Sequence, residues 1–297
     1  IKNPTVSGSA GTYDIETQDP SAVTIDDATV SANTITPGAL SSTNVEPAPL
    51  VAHATGNVTV TFTTANPIPV NGKIKVTFPT GFDVSAVSVA LSAANINGTL
   101  AASASGQVVT VSRSAGSIIA ASLTISDLII FGVINTSTIG TTGNYQIATA
   151  NYAGTTIDQN TAVSASTITG AITITAPASG ASWAVAESRA ITWSTSGDVT
   201  KVDIAYSING GGAWTPIISG YTPTGYSANG AASYTWSSVP DVLTAPQTTP
   251  TQAALIRVSD AVAGHAVLST NSSSFNIIYY GITWRVMDSE SLANLAD

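Results

Sequence analysis

Chemistry has few places to start in this chain. His53 and His265 are the only imidazoles, so a hydrolase triad would have to recruit one of them beside a nucleophilic serine and an aspartate. The G-x-S-x-G turn that presents such a serine is absent, and in a serine-rich chain some Ser/His proximity arises by chance. Paired carboxylates for glycoside hydrolysis are as thin. Asp14 and Glu16 lie two apart on one face of an extended run and read as solvated strand acids. No catalytic residue is expected.

Calcium is the better-founded metal chemistry, because it is a hard cation that takes carboxylate and carbonyl oxygens. Asp26 and Asp27 lie in one strand connection, and Asp158 recurs in the matching place with Gln159 and Asn160 beside it. No D-x-D-x-D loop accompanies them. Two expectations therefore stand side by side, an oxygen-ligated calcium at Asp26, Asp27 and Asp158, or ordinary turn acids. No other cofactor is called for. Indole rings open a third chemistry, stacking on sugars. Ile191 and Trp193 share one strand face, as do Tyr234 and Trp236, which is how a sandwich places its core aromatics. Trp214, beside the flexible "NGGGA" turn, is the ring expected to be available to a ligand. N-x-S/T acceptors for glycans stand at Asn57, Asn97, Asn135 and Asn271, a number that a chain rich in Ser and Thr with 17 asparagines reaches by chance.

The elements that must position these residues are strands. Short runs such as "NVTVTFTT", "GKIKVTF", "RAITWSTS" and "ALIRVSD" alternate polar and apolar residues with period two and are rich in β-branched side chains, the signature of a strand with one face on a core. Turn residues in "NPIPVNG", "PTGF", "INGGG" and "PASG" separate them. The fold class expected is all-β, in tandem antiparallel Ig-like sandwiches. Inner faces should include Val58, Val60, Phe62, Ile74, Val76 and Phe78 in the first, and Ile191, Trp193, Val202, Ile204, Ile256 and Val258 in the second. Only the terminal "DSESLANLAD" reads as helical.

Composition narrows the partners. Charged residues make up 8% of the chain, against about 25% in ordinary soluble domains. The net charge of -9 from 17 acids and 8 bases argues against nucleic acid, whose binding needs clustered Lys and Arg. The greasiest run, residues 118–134, is broken by Ser122, Thr124, Ser126 and Asp127, so no membrane span is expected. At 43% hydrophobic residues the chain is too apolar to be disordered. The absence of cysteine fits a protein outside the cell that is stabilised by packing alone, and the expected location is the extracellular surface. The opening "IKNPTVSGSAG" has no apolar signal core, so an exported protein is met here in mature or excised form.

The chain also repeats itself. "GTYDIETQDPSAVTIDDATVSANTIT" (11–36) returns as "GNYQIATANYAGTTIDQNTAVSASTIT" (143–169), and self-similarity at long separation marks a repeated structural unit. Gly11, Tyr13, Ile15, Thr17, Ile25 and Asp26 match Gly143, Tyr145, Ile147, Thr149, Ile157 and Asp158. One inserted residue then shifts the match, so that Val30, Ala32, Thr34 and Ile35 meet Val163, Ala165, Thr167 and Ile168. Together with the confinement of Trp183, Trp193, Trp214 and Trp236 to residues 170–278, the repeat divides the chain. Expected are a leading segment 1–40 holding the terminal strands of a preceding repeat, a first sandwich 41–169, a second, Trp-rich Ig-like sandwich 170–278, and a tail or the start of a further module at 279–297.

Residues 172–277, with "ITITAPASGASWAVAESRAITWSTSGDVTKVDIAYSINGGGAWTPI" and "ALIRVSDAVAGHAVLSTNSSSFNI", resemble the Ser-Thr-rich, GPI-anchor-associated domain family of fungal wall proteins and large prokaryotic surface proteins. Residues 42–169, with "KIKVTFPTGFDVS" and "GTTGNYQIAT", resemble repeat domains of giant bacterial and archaeal surface proteins. The first resemblance implies an Ig-like extracellular spacer with no catalytic residues. The function expected is thus a structural subunit of a filament, surface layer or adhesin stalk, whose partners are copies of itself or cell-surface components, joined by β-strand pairing. Tyr13, Ile15, Ile25, Val30 and Ile35, with Val23, would form the apolar assembly face, and residues 279–297 of the next subunit its acceptor. The alternatives are an adhesin or carbohydrate-binding module and an accessory region of a larger secreted enzyme.

Overall fold

The computed structural model describes residues 4–9, 11–89, 95–225, 228–242, 251–265 and 269–279. Among them every regular element is a strand, and the chain divides into two compact units, Ile1–Ala171 with Ser196–Asp198, and Ile172–Thr195 with Val199–Asp297. The tail 280–297, with its helical reading and its role as acceptor, lies outside the described residues.

In the first unit the period-two alternation does what it promises. Strand Thr55–Thr63 buries Val58, Val60 and Phe62, and strand Lys73–Thr77 buries Ile74 and Val76, with Phe78 just beyond. Two sheets share this core. One runs Thr99–Ser105, Val108–Ser114, Lys73–Thr77, Tyr145–Ala150, Thr156–Val163 and Gly38–Ala39. The other runs Ser41–Ala48, Thr55–Thr63, Thr124–Ile134 and Ser88–Val89. The pairings are antiparallel except that Gly38–Ala39 lies parallel to Thr156–Val163. Gly38, Ala39 and the buried Leu40 thus belong to this sandwich and not to the leading segment.

An edge-to-face cluster of Phe78, Phe82 and Tyr145, with centroids 5.7 to 5.8 Å apart, fills one end of the core. Arg113 is buried as well, and its hydrogen bonds go to carbonyl oxygens. Its guanidinium donates to the carbonyls of Asn97, Pro69 and Ser117 and to the Asn97 side chain. Burial lowers its pKa from the usual arginine value because the charged form loses water.

The second unit pairs Ala171–Ala176, Arg189–Ser196 and Ala231–Trp236 in one sheet. Its other sheet runs Ser182–Ala184, Phe275–Ile278, Thr251–Asp260, Val202–Ser207 and Thr215–Tyr221, with Ser269–Asn271 also on Thr251–Asp260. Ser182–Ala184 lies parallel to Phe275–Ile278, whereas Arg189–Ser196 pairs antiparallel with Ala231–Trp236, Val202–Ser207 with Thr215–Tyr221 and Thr251–Asp260, and Thr251–Asp260 with Ser269–Asn271 and Phe275–Ile278. Ile191, Trp193, Val202, Ile204, Ile256 and Val258 are all buried. Trp183 packs on Phe275 at 4.9 Å and on Trp236 at 6.3 Å, so the indoles of this unit largely build its core. Both units are β-sandwiches, as the alternation predicts.

Because Trp193 is 1% exposed, Trp193→Ala should destabilise the second unit by about 3 to 5 kcal/mol. Denaturant unfolding followed by tryptophan fluorescence checks this, and a loss under about 1 kcal/mol would mean that the ring contributes little packing.

Candidate functional site

The repeated stretch folds twice into the same local structure, with opposite fates for its apolar face. The leading copy pairs Thr12–Gln18 with Thr24–Ser31, and Gly8–Ser9 with Thr34–Ile35. The closing copy pairs Tyr145–Ala150 with Thr156–Val163, and Gly140–Thr141 with Thr167–Ile168. The registers agree residue by residue: Tyr13 faces Val30 as Tyr145 faces Val163, and Thr17 faces Asp26 as Thr149 faces Asp158. The residue inserted in the second copy is absorbed by a register shift between Tyr145 and Ile147, as a β-bulge absorbs one extra residue without losing the ladder on either side. The turns agree too. The Asp19 side chain accepts from the Ser21 and Val23 N–H groups, and Asn151 accepts from the Thr155 N–H. Ala22 takes φ 60° where the second copy has Gly154 at φ 93°.

In the closing copy Tyr145, Ile147, Ile157 and Val163 are 0%, 0%, 2% and 1% exposed, whereas Tyr13, Ile15, Ile25 and Val30 are 55%, 57%, 65% and 44% exposed. Ile35 is half-buried where Ile168 is buried. Every residue of Thr12–Gln18 and Thr24–Ser31 is exposed, and the two strands form a sheet of their own. Val23 is the one residue assigned to this face that does not belong to it. It sits in the turn, its carbonyl bonded to the Asp19 N–H, and its counterpart Thr155 is exposed even in the closing copy. Among the described residues the hairpin is held only at its base. The Ser7 N–H and hydroxyl both donate to the Thr156 carbonyl at 2.9 Å, and Gly38–Ala39 continue onto the sheet edge.

Asp26 and Asp27 in one copy and Asp158 in the other are the residues expected to ligate calcium, and the described residues contain no cluster of three or more His, Cys, Asp or Glu side chains. Asp158 is fully buried, and its oxygens accept from the Ala65 N–H at 3.0 Å, the Asn66 N–H at 2.8 Å and the Asn66 side-chain amide at 2.7 Å. Its own N–H donates to the Thr149 hydroxyl. The carboxyl oxygens are taken up by amide donors, and a cation would have to displace donors already in place. Its neighbourhood is tight: a Cβ at Gly38 would meet the Asp158 Oδ1 at 2.2 Å. Asp26 stands on the exposed strand, bonded to Thr17 through both backbone and side chain, and Asp27 lies beside it, also exposed. The outer face carries Asp14 and Glu16, and hydrogen bonds from Gln18 and Thr24 hold the Glu16 carboxyl below its ordinary range.

The remaining candidates are placed as follows. His53 is exposed with φ 57°. His265 bonds through Nδ1 to Asp260 at 2.6 Å within one turn, which the Val262 N–H also joins. Trp214 is half-buried, and the Arg257 guanidinium covers its ring at 4.4 Å, a cation–π contact that occupies a face a sugar would use. A groove of about 430 Å³ in the second unit is lined by Thr175, Thr192, Trp193, Tyr221 and Ser233 among others, but the indole there is core. Of the glycan acceptors, Asn57 and Asn271 are exposed on strands, and Asn97 is exposed with its amide bonded to the Ser117 hydroxyl. Asn135 is a correction. It is buried, and its amide donates to the Pro49 and Val51 carbonyls, so a glycan there would break both bonds. The contribution of Asn66 to the Asp158 site was not legible, since an asparagine in an "ANP" turn reads only as turn chemistry.

No family model matches the chain, and no curated protein matches it. Among solved structures, fibronectin(III)-like modules of Clostridium thermocellum CbhA are similar at 17% identity, with a TM-score of 0.25, over 79% of this chain and 93% of that one. No helix among the described residues is long and apolar enough to cross a membrane.

Two equivalent residues should behave oppositely in the isolated chain. Asp158→Ala removes a buried carboxylate that accepts three hydrogen bonds and should cost about 1 to 3 kcal/mol, whereas Asp26→Ala, on an exposed strand, should change stability by less than about 0.5 kcal/mol. Calorimetric unfolding of the first unit reads both. Burial also raises the Tyr145 phenol above its ordinary value of 10.0, so the fold favours the neutral ring. That contribution is whole below pH 10 and is lost as pH climbs through the raised folded value. Tyr145→Phe should flatten the alkaline decline of the first unit's stability, and an unchanged decline would assign it to other groups.

Proposed function

We propose that this chain is a structural subunit of an extracellular surface assembly, a filament, surface layer or stalk, that works by strand pairing between subunits and performs no chemical step. The observation that carries this reading is the leading hairpin. It is a formed ribbon with Tyr13, Ile15, Ile25 and Val30 exposed on one face, although the same residue types are core in its internal copy. A two-stranded hairpin is marginal alone in water, and an unpaired strand edge offers its N–H and C=O groups to a further strand. Strand addition then supplies main-chain hydrogen bonds for affinity and alternate side-chain sites for specificity. Low charge density and the lack of cysteine support packing as the source of cohesion outside the cell. The partners on this reading are other copies of the chain or components of the cell surface.

Purified full-length chain at high concentration should form filaments or sheets in negative-stain electron microscopy. Removing residues 1–36 should leave the cooperative melt of both units in place and abolish assembly. Dispersed particles from the intact chain, or normal assembly by the truncated one, would overturn the reading.

A further inference from the structure

What covers the leading hairpin can be read from what covers its copy. The closing hairpin is laid against four things: the strand Lys73–Thr77 along one edge, Gly38–Ala39 along the other, the rings of Phe78 and Phe82 on Tyr145, and the Ala65–Asn66 turn on Asp158. The leading hairpin has the same pairings apart from the inserted residue, the same tyrosine, the same register shift beside Ile25 as beside Ile157 and the same Thr–Asp pair, and among the described residues it lacks all four supports. Asp26 already bonds to Thr17 as the Asp158 backbone bonds to Thr149, and its carboxylate has no counterpart of the turn that donates three hydrogen bonds to Asp158.

We propose that the leading hairpin is a preformed closing hairpin for a second sandwich body of the same kind as residues 37–139, one without a closing hairpin of its own, and that Asp26 locks it in place. This rests on the strand pairing proposed above as the mode of association, and takes as partner a body whose closing site is vacant, which the body of an intact copy is not. Docked in the register of the copy, Thr12–Gln18 adds antiparallel to the strand corresponding to Lys73–Thr77. Tyr13 enters between the two phenylalanines, and Ile15, Ile25 and Val30 complete the core. Asp26 takes the two backbone N–H groups and the amide of the turn.

The outer face adds a selective contact. In the first unit Ala148 stands opposite Lys75. The matching residue of the leading copy is Glu16, whose carboxylate is held ionised by its neighbours, so the docked hairpin sets Glu16 opposite that lysine as an opposite-charge cross-strand pair. The body of the same chain is already closed by Tyr145–Ala150 and Thr156–Val163, so the occupant is a body with this site vacant.

A chimera tests whether the hairpin can close such a body. Residues 8–35 replace residues 140–168 in the full chain, a graft whose ends are paired in both copies, Gly8 with Ile35 and Gly140 with Ile168. The chimera should keep a cooperative melt of the first unit, and placing Asn at its grafted Asp26 should lower that melt. An unfolded first unit overturns the proposal.

Docking between chains is tested with an acceptor, the full chain lacking residues 140–168 and carrying Ile15→Ser and Ile25→Ser so that its own hairpin is disabled. Intact chain should capture it one to one in light scattering. Capture should weaken by about tenfold or more with Asp26→Asn in the intact chain, weaken with Glu16→Lys, and vanish with Ile15→Ser and Ile25→Ser. A folded acceptor that ignores the intact chain overturns the proposal. For an acceptor that does not fold alone, the two are refolded together. Soluble one-to-one complex supports the proposal, and recovery by a synthetic 140–169 peptide but not by the intact chain overturns it. The two readings fail separately. Intact chain that stays dispersed in the microscope yet captures the acceptor refutes self-assembly and keeps this inference, whereas filaments formed by intact chain beside an unfolded chimera do the reverse.

Discussion

A two-stranded ribbon with one apolar face can leave water only by lying on something else, because neither of its strands can cover the other's side chains. Most of this protein's organisation follows from how that constraint is met. Within the first unit, Tyr145–Ala150 and Thr156–Val163 meet it by joining a six-stranded sheet, and Tyr145, Ile147, Ile157 and Val163 become core. The leading copy carries the same apolar set, and among the described residues it has no such sheet beneath it. Burial of one large apolar side chain is worth about 1.5 to 3 kcal/mol, so a face of four such residues represents a substantial unspent driving force for association.

The apolar face alone would be a nonspecific adhesive. On the proposed strand pairing, specificity would come from the polar residues around it. Five acids, Asp14, Glu16, Asp19, Asp26 and Asp27, stand in the leading hairpin with no base, and charge along an exposed strand opposes indiscriminate sheet-to-sheet stacking. A buried carboxylate is tolerated only where donors surround it. The closing copy shows that condition fulfilled at Asp158 by Ala65 and Asn66. A partner offering apolar surface without such a turn would bury Asp26 unsatisfied, a penalty large enough to reject it.

The second unit meets the same demand for a core by different means. Trp183, Trp193 and Trp236 are buried, with Phe275 beside Trp183, so large rings fill a sandwich whose first sheet has only three strands. Trp214, at the rim, is satisfied by Arg257. Aromatic enrichment therefore marks a packing solution, and its position in the chain marks where one type of unit gives way to another.

The order of residues by itself determined the all-β class, both sets of core positions and the existence of the repeat. Each depends on local periodicity or on self-comparison, and a period of two leaves no choice of which side chains share a face. It also showed that Tyr13, Ile15, Ile25, Val30 and Ile35 form an apolar set. Other features were decided only by tertiary structure, because they depend on what a residue meets and not on what it is. Asp26 and Asp158 are the same residue in the same local motif, one exposed on a strand and the other buried among amide donors. Asn135 carries a glycan-acceptor pattern and is a buried crosslink between backbone segments. Val23 is apolar and near the assembly face in sequence, yet the turn carries it off that face. Gly38 lies in the segment expected to be separate from the first sandwich, yet it approaches the Asp158 carboxylate so closely that no side chain fits there. Contacts between residues far apart in sequence set these outcomes at Asp158, Asn135 and Gly38, whereas the place of Val23 is set within its own turn.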